Sequence, residues 1–242
     1  MATVMAGRAP SRSRAAGRLF YVALALLVCA IVATGFGPRF YAVLVLGESR
    51  PWIIHVHGVV YVGWLVILVT QSVLAARGRI ALHRRLGNFG IAYGVLVILV
   101  GLLVSFIAPA LHVRAGEWTM DQAAGFLPIP LGDMVLFGSA FGAAIAYRRR
   151  PEIHKRLMLL AAVALMFAAV GRVWFVNTMS VELPLWYSPV LVAMGYDLYK
   201  RRRIHPVYII GIVVMAAGLV RIPFGQSETW LPLGRALLAP LV

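Results

Sequence analysis

Charged residues are scarce in this 242-residue sequence, at 13%, roughly half the share a soluble domain carries. Apolar side chains take their place, at 62%. That excludes an ordinary soluble domain and a disordered tail. Cys29 is the only cysteine, which excludes a disulfide-stapled secreted module. Lys155 and Lys200 are the only lysines, and both fall in connections between apolar runs, so a buried Schiff base has no candidate. A Walker loop, a GxGxxG after a strand, an HExxH and a CxxCH are all missing. Ser105 and Ser139 have no evident base and orienter at their depth. Covalent enzyme chemistry is therefore disfavoured.

Acidic residues are also few: 8 Asp and Glu stand against 23 Lys and Arg, a net charge of +15. In a soluble protein that balance would point to nucleic acid. Here position matters more than sum. Basic residues cluster at Arg8, Arg12, Arg14 and Arg18; at Arg77, Arg79, Arg84 and Arg85; at Arg148, Arg149, Arg150, Lys155 and Arg156; and at Lys200, Arg201, Arg202 and Arg203. The alternate connections are nearly neutral or acidic, with Glu48, Glu117, Asp121 and Glu182. This is the positive-inside pattern of a multi-pass membrane protein, with no nucleic-acid partner.

A membrane helix needs about 20 apolar residues. Seven stretches qualify: Leu19 to Phe36, Trp52 to Ala76, Leu86 to Leu111, Phe126 to Tyr147, Leu157 to Val176, Leu183 to Tyr199 and Val207 to Phe224. Prolines near their ends, among them Pro38, Pro109, Pro184 and Pro223, read as stops. The expected fold is all-α, a seven-transmembrane-helix bundle with its N-terminus cytoplasmic and its C-terminus periplasmic. Residues 1–18 form a basic cytoplasmic segment, 19–224 the membrane domain and 225–242 a short periplasmic or interfacial tail. The first apolar run exceeds the roughly 7 to 15 residues of a signal-peptide core, so an uncleaved helix is expected. Gly90 and Gly94, and Gly138 and Gly142, form GxxxG pairs that mark close helix packing.

Ionisable groups inside hydrocarbon cost roughly 2.5 to 3.5 kcal/mol each, so each needs a partner or a purpose. At 1.5 Å per residue, His57 lies about 7 Å and Asp133 about 10 Å below the periplasmic face. Arg172 and Arg221 sit near the periplasmic ends of their spans. This shared depth predicts a buried polar site in which Asp133 neutralises one arginine and the other is left for an anionic group. The plainer alternative is a structural ion pair, with the second arginine snorkelling to headgroups. Helical spacing puts Tyr61, Trp64, Leu68 and Gln71 on the same face as His57. His55 points elsewhere, so His55 and His57 form a poor chelate on a regular helix.

His83, His154 and His205 open helices at the cytoplasmic level, in the echoing contexts LHRRLG, IHKRLM and IHPVYI. They are candidates for haem or metal ligands or a proton relay, or for helix caps and headgroup contacts. Asp197 has Lys200 and Arg201 at i+3 and i+4, and local pairing is expected there.

The run from His57 through Trp64 and Gln71 to GRIALHRRLGNFG, with RRRPEIHKRLMLLA and DLYKRRRIHP later, resembles a group of poorly characterised bacterial polytopic membrane proteins. The resemblance spans His57 to Pro206 and implies the bacterial inner membrane, without an established activity. More loosely, the histidine-bearing helix ends are similar to those of membrane cytochromes and oxidase-assembly proteins. The expected function is binding of a small ligand or cofactor (haem, metal or quinone) linked to membrane redox or its assembly, through His57, Tyr61, Trp64, Asp133, Arg172 and Arg221. A transporter of a small solute or protons and a noncatalytic subunit or assembly factor are the alternatives. The expected partners are the lipid bilayer and other membrane subunits.

Overall fold

A computed structural model describes the backbone of residues 12–242, with side chains at residue 17 and from residue 19 onward. Arg8 lies outside the described residues, as do the side chains of Arg12, Arg14 and Arg18. Among the described residues the fold is all-helical. The long rods are α1 (Arg12–Leu44), α2 (Trp52–Ala76), α3 (Ile80–Arg114), α5 (Pro128–Ala146) and α8 (Met179–Arg201). Shorter elements are α4 (Met120–Phe126), α6 (Pro151–Ala164), α7 (Phe167–Val170), α9 (Pro206–Ala217), α10 (Arg221–Gly225) and α11 (Leu231–Leu238).

Five stretches are long and apolar enough to cross a bilayer: Leu19–Leu44, Trp52–Ala76, Ile80–Arg114, Met120–Ala146 and Pro206–Gly225. Their outward faces remain greasy, with Val66, Leu99, Leu103 and Val135 exposed. The chain is an all-helical membrane protein, since such faces are stable only against lipid.

Two of the seven expected spans depart from that picture. Leu157 to Val176 is no single helix: α6 stops at Ala164, the backbone tightens to three-residue hydrogen bonds from Met166 to Val163 and from Ala169 to Met166, and no helix runs through residues 171–178. No proline or glycine stands between Ala164 and Val170. Instead the indole of Trp186, fully buried, donates to the carbonyl of Val163 at 2.7 Å, so a backbone group beside the break is satisfied by a side chain. Leu183 to Tyr199 lies inside α8, which falls outside the five. Helix α8 continues through Pro184 and Pro189, α1 through Pro38 and α3 through Pro109, so these prolines do not act as stops. Each removes one backbone donor without ending its helix, as membrane helices tolerate when neighbours cover the freed carbonyl.

Small residues bring the rods together. A side-chain carbon added to Gly94 on α3 would collide with the ring of Phe141 on α5, and one on Gly63 would collide with the Tyr93 hydroxyl. That hydroxyl donates to the carbonyl of Val60 at 3.1 Å, so α2 and α3 meet through a glycine and a hydrogen bond.

The connections 77–79, 147–150 and 202–205 carry the arginines and share one end of the bundle, the basic end. At the opposite end, α11 is docked on α4. Trp230 donates through Nε1 to Ala124 at 2.8 Å, Arg235 is salt-bridged to Asp121, and Leu238 is fully buried.

Candidate functional site

At the opposite end, the depth argument brings an acid and a base together. Asp133 on α5 accepts from Nη2 of Arg221 at 2.5 Å, and the residues are only 6% and 8% exposed. Arg221 also donates to the carbonyl of Gly218 at 3.2 Å and lies 5.1 Å over the ring of Phe167. Its Nε has no partner. Arg172 stands apart. It is exposed, donates to the carbonyl of Ala168 one turn back, and lies 5.2 Å over Phe36.

His57 is half-buried, with its ring 4.1 Å from that of Tyr61. The Tyr61 hydroxyl donates to Val97 at 3.3 Å and approaches the sulfur of Met134, beside Asp133, at 3.5 Å. Trp64 is packed edge-on against Phe137 and Phe141 at 5.2 and 5.3 Å, and its Nε1 has no partner. Helix α2 is regular from Trp52, and His55 is exposed, so no second imidazole joins His57. Sequence reasoning did not find a neighbouring groove of about 430 Å³ lined by Trp118, Gln122, Phe126, Ile129, Ile222 and Gln226. Its sequence signal is Asp121 and a pair of glutamines in otherwise apolar surroundings.

At the basic end, the three histidines divide. His205 caps α9, its Nδ1 accepting from the amide of Val207 at 3.3 Å. His83 and His154 meet, with ring centroids 6.4 Å apart and planes at 89°. Each stands in the first turn of its helix, with its backbone amide bonded to Arg79 and Arg150 respectively. The Nδ1 of His83 lies 3.2 Å from the carbonyl of Gln71, and that of His154 lies 2.8 Å from the carbonyl of Ala144. A carbonyl only accepts, so both Nδ1 atoms donate, which in the neutral imidazole leaves Nε2 as the acceptor. The side-chain amide of Gln71 donates back to the carbonyl of His83 at 3.1 Å, locking the α2–α3 turn.

Beside this pair stands a charge network whose centre the sequence did not reveal. Asp197 has its expected local partner in Arg201, but a closer one lies on another helix. Its carboxylate takes two bonds from Nη2 of Arg156, at 2.6 and 2.8 Å, and one from Nε at 3.1 Å. Arg201 approaches only to 3.7 Å. The Arg156 guanidinium lies 5.4 Å over Tyr208, which is hydrogen-bonded to Tyr21 at 3.0 Å. Glu152, half-exposed in the loop-side turn of α6, bonds Lys155 at 2.7 Å, Arg156 at 2.9 Å and also Arg201.

Partial burial would raise the Glu152 carboxyl, but the hydrogen bonds from Lys155 and Arg156 and the charges of Lys155 and Arg201 outweigh it and hold the pKa down to about 2. A carboxyl depressed on folding stabilises the fold above its unfolded pKa of 4.5 and loses that contribution as pH falls towards 2. The thermal midpoint in detergent should therefore drop between these values, with the Glu152→Gln variant losing the part of the drop due to this group. An identical profile in the variant would refute the assignment.

Among the described residues no group of three or more His, Cys, Asp or Glu gathers as a metal site. No family model matches the chain, and the searches of curated proteins and solved structures returned no match.

Proposed function

We propose that the chain is a seven-span protein of the bacterial inner membrane, with its basic end and N-terminus in the cytoplasm and its C-terminus in the periplasm. It binds a small ligand or cofactor of the haem, metal or quinone class, linked to membrane redox or its assembly. The arginine-rich connections favour that orientation. The function rests on one observation, the meeting of His83 and His154 from separate helices with both Nε2 atoms free. Cofactor binding needs two well-held donors facing one space, and at the opposite end no two imidazoles meet: His57 lies against Tyr61, His55 is exposed, and His112 is stacked on Trp118 and bonded to Glu117. There, Asp133 and Arg221 neutralise each other, and Arg172 remains for an anionic group or a lipid headgroup.

Purified protein in detergent should take up at least one of haemin, Cu⁺, Zn²⁺ and a short-chain ubiquinone. His83→Ala and His154→Ala should each weaken that uptake at least tenfold. Failure to bind any of the four, or binding indifferent to both substitutions, ends the proposal. The break between α6 and α7 favours a second reading, a transporter of a small solute or protons, because non-helical backbone in such folds lines the transport path.

A further inference from the structure

We propose that the group held between His83 and His154 is a haem, with the two imidazoles as its axial ligands. This rests on the cofactor-binding function above and names its ligand. Four features support this, of which ligand number and charge favour a macrocycle over a bare ion.

The first is ligand number. A structural zinc ion takes four protein ligands, and no third His, Cys, Asp or Glu joins the pair among the described residues. A porphyrin supplies four nitrogens of its own, so two imidazoles complete its iron. The second is spacing. A ligating nitrogen lies about 2.0–2.1 Å from its metal and roughly 1 Å from its ring centre, so two imidazoles on opposite sides of one ion have centroids about 6 Å apart. The observed separation is 6.4 Å, and rings at 89° to one another are compatible with axial ligation on opposite faces.

The third is orientation. Metal-bound histidines donate their other ring N–H to a carbonyl or carboxylate, which fixes tautomer and ring angle. The carbonyls of Gln71 and Ala144 occupy that position. Each belongs to the helix preceding its histidine across a tight basic turn, so two hairpins build the site in the same way. The fourth is charge. Arg84, Arg85, Arg148, Arg149 and Arg150 flank the two histidines in the sequence, are exposed, and bond no carboxylate among the described residues. That field repels a bare divalent cation and attracts the two propionates of a haem, which arginine forks bind well.

Apo-protein purified from haem-depleted cells should be titrated with haemin in detergent. The expected product is a six-coordinate, low-spin spectrum with a sharp Soret band and, after reduction, resolved α and β bands. His83→Ala and His154→Ala should each convert it to a high-spin spectrum and weaken haem retention at least tenfold. His205→Ala should leave it unchanged. His154→Met guards against mere misfolding, since a thioether can still serve as an axial ligand and should restore a low-spin iron with a raised potential. If Cu⁺, Zn²⁺ or quinone binds through His83 and His154 while haemin does not, the haem assignment falls and the broader function stands. If haemin binds but neither alanine variant changes the spectrum, the assignment is overturned. If none of these ligands binds, both fall together.

Discussion

Replacing Asp197 with Ala should destabilise the protein by about 3–5 kcal/mol, because it removes the buried counter-ion from a desolvated guanidinium and leaves only the half-exposed Glu152 on its Nη1. The side chains of Arg156 and Asp197 are each 1% exposed, and Tyr208, beneath the guanidinium, is fully buried. Water cannot take over the lost contacts. The Arg156→Met/Asp197→Leu double variant should recover most of the loss, since two apolar side chains of similar volume often replace a buried ion pair at little cost. Arg201→Ala should cost no more than about 1 kcal/mol, as expected for a half-exposed partner. Unfolding of the four proteins in one detergent provides the measurement. A single-variant loss below about 1 kcal/mol, or an Arg201→Ala loss equal to that of Asp197→Ala, would show that the Arg156–Asp197 pair is not what joins α6 to α8.

That pair also marks the boundary of what the chain makes readable. Depth along a helix follows from counting residues at 1.5 Å each, so the common level of Asp133 and Arg221 is legible in the sequence. Rotation about a helix axis relative to a neighbour is not, and every partner choice depends on it. Asp197 has a basic residue at i+4 in its own helix, yet the closer partner comes from α6. Asp133 had two arginines at its depth and takes Arg221. The three inner histidines share a motif in the sequence, but only two share a space, because His205 spends its Nδ1 on its own helix start. The interruption after Ala164 was unreadable for a different reason. It lies in ALMFAAV, a run of good helix formers, and the indole of Trp186, 23 positions away, binds a carbonyl beside it.

The Asp133–Arg221 pair should behave as a structural element independent of the histidine site. Asp133→Ala alone should cost about 3–5 kcal/mol, since it strands a guanidinium whose Nε already lacks a partner in a buried position. Asp133→Leu combined with Arg221→Met should restore most of that stability. The same rod α5 carries Asp133 at one end and Ala144, the anchor of His154, eleven residues further on, about 16 Å away along the axis. Beyond that distance a neutral, well-packed replacement should leave cofactor affinity within twofold of wild type. A transporter behaves differently, because the acid in its path carries the proton or faces the solute. If the double variant folds as stably as wild type yet abolishes solute or proton uptake by liposomes, Asp133 is part of a transport path and the second reading replaces the first. If the double variant is stable and still binds its cofactor, and liposomes containing the wild-type protein take up no solute or proton, the pair does no more than hold α5 against α10 beneath a binding site at the other end of the bundle.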